Sequence, residues 1–204
     1  MNNSENIFLL TRNTDSLNLL RNVFQATGMP IFRNCALGAL QESCRKKEGC
    51  VVLSANDYSN DEICKIVQAL RNEKLPHAVV IVDPVPSFTR AREILHLPVH
   101  DYFQLATSPA QIILILKSAI YWSKTQGKRL VQQLTIKDTW ETLDDSLKEV
   151  LTLLYNGKTN KEIADELNLS LRAIENRRAK LTKIFQVTSF AALIRVATTV
   201  FDPQ

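Results

Sequence analysis

The sequence predicts two structural classes in series: an α/β region built as a doubly wound five-stranded parallel sheet, then an all-α region of four short helices. Three observations predict it. Short apolar runs alternate with amphipathic stretches up to about residue 123, and that strand rhythm is absent from the C-terminal third. Between the two lies Lys124–Lys137 (KTQGKRLVQQLTIK), which is polar, basic and glycine-containing, the composition of a linker, with helix expected in part of it. The expected bounds are 1–123, 124–136 and 137–204.

In the first region, Ile7-Phe8-Leu9-Leu10 reads as a buried strand. Thr14 then caps a helix with Leu17, Leu20, Val23 and Phe24 on one face, ended by Gly28. Pro30–Asn34 is a second, weaker strand, Leu37–Lys46 a short helix and Cys50–Leu53 the central strand. Ser59-Asn60-Asp61-Glu62 has capping-box spacing, a hydroxyl at the N-cap and a carboxylate three residues on. The helix it opens carries Ile63, Ile66, Val67 and Leu70. Ala78–Val82 is the fourth strand, Phe88–Leu95 a helix and Val99–Leu105 the fifth strand. Ser108-Pro109 places a cap before a first-turn proline, and an apolar helix follows to about Lys124. Its Ile112–Trp122 stretch either packs on the sheet or serves a protein interface. Alternating strands and helices give a parallel sheet covered on both faces.

In the second region, Asp144 caps a helix whose Leu147, Val150, Leu151 and Leu154 form an i, i+3, i+4, i+7 stripe, with Gly157 as the left-handed end. Thr159-Asn160-Lys161-Glu162 is a second capping box opening a two-turn helix with Ile163 and Leu167 inward. Asn168-Leu169 makes a tight turn, Ser170 caps a third helix, and Thr188 or Ser189 caps a fourth with Phe190, Leu193, Ile194, Ala197 and Phe201 on one face. A short helix, a tight turn and a longer helix is the spacing of a helix-turn-helix.

The chain has 204 residues, 45% hydrophobic and 23% charged, with 5 Gly and 7 Pro, which excludes a disordered or collagen-like polymer. No apolar run approaches the roughly 20 residues of a membrane span, and the N-terminus lacks the pattern of a secretory signal, so a cytoplasmic, membrane-free protein is expected. Cys35, Cys44, Cys50 and Cys64 match no zinc spacing and read as reduced core thiols. His77, His96 and His100 are scattered and suit capping or core roles. No nucleophile–base set, metal cluster or phosphate-cradling glycine loop is visible, so the expectation is a non-enzyme without cofactor or metal.

Net charge is +4, and its location says more than its size. Residues 1–123 hold 12 basic and 11 acidic side chains, whereas 158–183 alone hold 7 and 4. On a helical wheel for the third helix, Leu181 and Phe185 share the side of Ile174, with Leu171 and Ile184 flanking. The opposite side carries Arg172, Glu175, Asn176, Ala179, Lys180 and Lys183. A small residue at the centre lets a helix sit deep in a groove. Arg and Asn pair with base edges, and Lys reaches phosphate. Thr159, Asn160 and Lys161 offer amides, a hydroxyl and a cation for a phosphate. Arg177 and Arg178 lie nearer the core side, placed for flanking phosphates or for local carboxylates. The plain alternative is the solvated face of an ordinary bundle.

The stretches Leu143–Leu151 (LDDSLKEVL), Asn160–Ala164 (NKEIA) and Ser170–Leu181 (SLRAIENRRAKL) resemble the LuxR-type helix-turn-helix of NarL/FixJ regulators, over about residues 137–201. The resemblance implies transcriptional regulation by binding double-stranded DNA, with Arg172–Lys183 in the major groove. Thr159, Asn160, Lys161, Ser170, Arg172, Glu175, Asn176, Arg178, Ala179, Lys180 and Lys183 are its DNA-binding set. It also implies a homodimer, with Ser189–Phe201 as the dimer contact. The sequence departs from the family at Arg177, where histidine is common, at Gln186, where glycine usually stands, and at Asp145, which replaces a proline.

The first region then resembles a receiver domain, whose chemistry needs an acidic pair after strand one for Mg²⁺, an aspartate ending strand three, a hydroxyl after strand four and a lysine after strand five. This chain has Thr11-Arg12-Asn13, then Ser54-Ala55-Asn56-Asp57, then Asp83, then Leu105. A degenerate receiver that does not autophosphorylate is expected, open to control by dimerisation, a regulatory protein or a small ligand. Asp57 is the weak candidate for phosphorylation in a conventional phosphorelay regulator. Asp57 and Asp83 either form a displaced acidic site or, the plainer reading, are solvated loop carboxylates. A partner-binding module without DNA recognition is the remaining alternative.

Overall fold

In the computed structural model, residues 5–202 are described apart from 14–17, 19, 22, 23, 26 and 86. They form two compact units, Met1–Val131 and Gln132–Gln204. In the first, β1 (Asn6–Leu10), β2 (Ile31–Asn34), β3 (Gly49–Ser54), β4 (Ala78–Asp83) and β5 (Asp101–Gln104) pair in parallel in the order β2-β1-β3-β4-β5. The three inner strands are buried along their whole length, as expected of a sheet covered on both faces. Register places Phe8 beside Val51 and Val51 beside Val79, so like rows of apolar side chains stack across the sheet.

One face packs Phe8, Leu10, Val51, Leu53, Val79 and Ile81 against helices Leu37–Lys46, Asn60–Asn72 and Phe88–Leu95. The other packs Ile7, Leu9, Val52, Val80 and Val82 against Leu20, Phe24 and the helix Pro109–Trp122. The described residues within 18–25 are helical and Gly28 turns left-handed at φ +68°. Thr14, Leu17 and Val23, assigned to that helix from the sequence, lie outside the described residues. In the helix Pro109–Trp122, Ile112, Leu116, Ala119 and Ile120 are buried on the sheet while Leu114 and Tyr121 are exposed.

Capping follows the sequence closely. Ser59 Oγ accepts from the Glu62 amide while the Glu62 carboxylate accepts from the Ser59 amide, and Ser108 Oγ caps the helix that begins at Pro109. Two expectations are corrected and one is extended. β5 begins at Asp101 rather than Val99, because Pro98 and a turn closed by the Val99 amide on the Leu97 carbonyl precede it. The span read as a partly helical linker is helical throughout: a π-helical turn, Ser123–Gly127, is followed by the α-helix Lys128–Glu141. Of the cysteines only Cys44 and Cys50 are core thiols, with pKa values pushed by burial to about 12; Cys35 is exposed and Cys64 half-buried. All four are free.

Two glycines are fixed by close approach. A Cβ on Gly49 would stand 2.2 Å from the Asn6 carbonyl oxygen, and one on Gly127 would stand 2.1 Å from that of Pro76. Among the described residues, no helix is long and apolar enough to cross a membrane.

The second unit has helices at Asp145–Tyr155, Asn160–Glu166, Leu171–Ile184 and Phe190–Phe201. Leu147, Val150, Leu151, Leu154, Ile163, Ile174, Leu181, Leu193 and Ala197 form one buried core. Asp144, Thr159, Ser170 and Ser189 are the N-caps, which settles the last in favour of Ser189 over Thr188. The first three helices end alike, in a left-handed residue whose own amide and the next one bond back into the last turn. Gly157, Asn168 and Gln186 occupy that position at φ +81°, +52° and +53°.

Candidate nucleic-acid interface

The helix Leu171–Ile184 is held from behind by Ile174 and Leu181, both fully buried, with Ile184 and Phe185 half-buried beside them. Its opposite side presents Arg172, Glu175, Asn176, Ala179, Lys180 and Lys183, every one exposed. The formal charge of that face is positive, three cations against Glu175. Ala179 sits among longer side chains, so the helix surface is lowest there. Leu171, expected at the flank of the apolar side, is instead 49% exposed.

Lys180 of this face and the neighbouring Arg178 are already engaged. Lys180 Nζ lies 3.3 Å from Asp144 Oδ2. The Asp144 carboxyl is held below the usual carboxylate range by the Ser146 hydroxyl, by the Leu147 amide and by Lys180. Arg178 is half-buried; its Nη1 donates to Asn160 Oδ1 at 3.4 Å, and its guanidinium carbon stands 4.4 Å from the Phe190 ring centre. The choice left open for Arg178, phosphate or local carboxylate, thus takes a third form: an amide oxygen and an aromatic face tie together the starts of the second and fourth helices. The sequence places Phe190 on the apolar face of the fourth helix, and no spacing rule pairs it with Arg178.

Thr159 caps its helix through the Glu162 amide, while its own amide and hydroxyl both bond Glu162 Oε2. Its hydroxyl is therefore satisfied within the capping box. Lys161 is exposed and Asn160 half-buried. Thr159, Asn160, Lys161, Leu171, Arg178 and Phe190 line one groove of about 680 Å³. Ser170 caps its helix through the Ala173 amide. Eleven positions selected from the sequence thus converge on two adjoining helices and the groove between them.

At the C-terminal edge of the sheet, a second polar group is closed on itself. β3 ends at Ser54, and Asp57 lies in the turn beyond it. Asp57 Oδ2 accepts from Thr11 Oγ1 at 2.5 Å and from the Arg12 amide at 3.1 Å. Arg12 Nη1 reaches Glu62 at 2.7 Å, and its guanidinium carbon stands 4.5 Å from the Tyr58 ring centre. Asp83 is fully buried at the end of β4, where Oδ1 accepts from the Val85 amide and Oδ2 from the Tyr102 hydroxyl at 3.2 Å. Asp83 is not a solvated loop carboxylate, which corrects the plainer reading for it, whereas Asp57 is a half-buried loop carboxylate held by hydrogen bonds. They serve different anchors, Asp57 on β1 and Asp83 on β5. Among the described residues, no group of three or more His, Cys, Asp or Glu gathers to hold a metal ion. The histidines are structural: His77 is buried with Nε2 on the Lys47 carbonyl, His96 is a helix C-cap and His100 meets Ser118.

Comparison with known proteins agrees with this architecture. The family of bacterial regulatory proteins called luxR matches residues 147–197. The transcriptional regulatory protein FixJ of Azorhizobium caulinodans is 24% identical over 178 residues, covering 86% of this chain and 83% of that protein. The response regulator protein TodT of Pseudomonas putida is 20% identical over 195 residues, 93% and 84% of the two chains. The solved structure of the response regulator StyR superimposes with a TM-score of 0.59 at 17% identity, covering 94% of this chain and 96% of that one, which is a likeness of fold. These relatives are named as regulators rather than enzymes. Residues 147–197 therefore form a LuxR-type helix-turn-helix domain, in a chain homologous to the FixJ-type response regulators.

Proposed function

We propose that this chain regulates transcription by binding double-stranded DNA through Leu171–Ile184, and that its receiver-like unit works without aspartyl-phosphate chemistry. One observation carries the first part: Arg172, Glu175, Asn176, Ala179, Lys180 and Lys183 form one exposed, net-positive side backed by buried Ile174 and Leu181. A helix of this width enters a major groove about 12 Å across. Arg172 and Asn176 are placed to read base edges, Lys183 and Lys161 to meet phosphates, and Glu175 to accept from a cytosine amine. Lys180 reaches a phosphate by leaving Asp144, a surface pair weak enough to exchange. Arg178 acts as a positioning residue, since its contacts to Asn160 and Phe190 fix the groove beside the DNA. A homodimer suits this reading, because two such helices then address half-sites about 34 Å apart.

The test is a mobility-shift titration on a selected operator. Arg172→Ala and Asn176→Ala are expected to weaken specific binding about tenfold or more each while leaving the melting temperature in place. Unchanged affinity in both would overturn the groove assignment and favour a module that binds a partner other than DNA.

The second part rests on what stands where a receiver needs its acids. Thr11 and Arg12 follow β1, and the Arg12 guanidinium faces Glu62. Mg²⁺ takes oxygen ligands, preferably carboxylates, so a cation and a hydroxyl there do not fit the ion. Ser54 ends β3 with its hydroxyl buried and unpaired, and Leu105 follows β5. A phosphoryl group in transfer would meet Leu105 where the lysine after β5 is needed. Asp57, the nucleophile of the alternative phosphorelay reading, is bonded by Thr11 and Arg12. Incubation with a small acyl phosphate and Mg²⁺ is expected to give no phosphorylated species on an affinity gel. A band that vanishes in Asp57→Asn would establish the phosphorelay reading instead.

A further inference from the structure

We propose that the pocket formed by Arg71, His100 and Trp122, at the N-terminal edge of the sheet in the first unit, binds a small organic monocarboxylate. It shares no residue with the Asp57 cluster or with the Leu171–Ile184 face, and the inference does not depend on DNA binding.

The pocket measures about 150 Å³ and lies where β4 and β5 begin. Arg71 comes from the last turn of the helix Asn60–Asn72, His100 immediately precedes β5, and Trp122 is the last residue of the helix Pro109–Trp122. Arg71 is half-buried, with its guanidinium carbon 5.2 Å from the Trp122 ring centre. Of its five N–H donors, one bonds the Leu75 carbonyl at 3.0 Å. Among the described residues no carboxylate pairs with it, whereas Arg12 and Arg45 in the same unit hold Glu62 and Glu73. Burial lowers the Arg71 pKa with no opposing acid. A desolvated guanidinium with free donors in a planar fork matches a carboxylate in both charge and geometry.

The rest of the pocket selects the class. His100 has one ring nitrogen on Ser118 Oγ at 3.2 Å; burial lowers its pKa against the neighbouring Asp101, and of the residues lining the pocket Arg71 alone is an Arg, Lys, Asp or Glu. One positive charge suits a monoanion better than a dianion. Pro98, Val99 and the Trp122 indole supply apolar wall for a short carbon tail. At roughly 30 Å³ per water the volume corresponds to about five waters, enough for a carboxylate with a small alkyl group. Trp122 is also held in place. The π-helical turn that follows it begins at Ser123, whose Oγ accepts from the Ala78 amide and donates to the Ala119 carbonyl, both at 2.8 Å. Single π-helical turns are uncommon and recur beside functional sites.

The experiment uses the full chain carrying Trp140→Phe, which leaves Trp122 as the sole tryptophan. Sodium propionate is titrated against sodium chloride at equal ionic strength, and Trp122 emission is followed. A saturable change with a Kd of about 1 mM or tighter is expected, weakened about tenfold or more in Arg71→Gln. Arg71→Lys, which keeps the charge and loses the fork, is expected to fall between them. Val99→Phe, which fills the pocket and leaves Arg71 in place, is expected to abolish saturation, so the proposal does not hang on one variant's folding. A linear response to propionate, equal affinity in folded Arg71→Gln, or saturation by inorganic phosphate in preference to propionate would overturn it.

Discussion

The Asp57 cluster and the outer face of Leu171–Ile184 use similar side chains to opposite ends. In the first, Thr11, Arg12, Asp57 and Glu62 satisfy one another, and the polar atoms meet partners within their own fold. In the second, Arg172, Asn176 and Lys183 stand exposed over a dry backing of Ile174 and Leu181. The residue types alone do not separate a finished hydrogen-bond network from a surface awaiting a ligand. The difference lies in whether the chain brings a complementary group within about 3 Å.

The comparison can be broken from either side. The largest expected effect is on the backing of the open face. Ile174→Ala leaves a cavity under the helix and should cost about 2–5 kcal/mol in urea denaturation, with loss of DNA binding as a consequence. In the closed cluster, Thr11→Val keeps the shape and deletes one donor to Asp57. It should cost about 1–2 kcal/mol by the same measurement and leave DNA affinity per folded molecule unchanged. A DNA-binding defect in this variant would show that the cluster is not merely structural.

A pH series sharpens the same contrast. The Ser59 amide, then the Arg12 guanidinium and the Ser59 hydroxyl, hold the Glu62 carboxyl at about 2 against an ordinary 4.5. The stabilisation is complete above the ordinary value and is lost as the pH falls toward 2. Glu62→Gln should therefore lower stability at pH 7, where the stabilisation is complete, and change little near pH 2, flattening the acid limb between, as read by thermal melts. The smallest effect is expected at Gln186, which holds φ +53° where a glycine would sit without strain. Gln186→Gly should raise stability by about 0.5–1 kcal/mol, the strain relieved less the entropy glycine adds to the unfolded chain.

The periodic part of the molecule was legible in the sequence. Cys50–Leu53 and Ala78–Val82 announce inner strands because both of their faces are covered, and the Ser59 and Thr159 boxes announce helix starts because capping is local chemistry. The exposed polar side of Leu171–Ile184 was legible for the same reason, a single helix with one apolar side. What escaped depends on distant segments meeting. Asp57 looked like a loop carboxylate until β1 brought Thr11 to it, 46 residues away in sequence. Arg178 and Phe190 belong to different helices, and Leu171 is apolar by type yet borders an open groove. The full extent of helix in the linker span escaped because polar composition around Gly127 looks flexible, whereas the glycine is fixed by its approach to Pro76.

The two outermost strands of the sheet, Ile31–Asn34 and Asp101–Gln104, are its shortest, four residues each against five or six inside. A rim that short exposes few open amides and carbonyls for a stray extended chain to join. The longer apolar interior strands, the stretches best suited to fibril growth, are thereby sealed by neighbours on both sides, and crowding at high expression meets a poor template for aggregation.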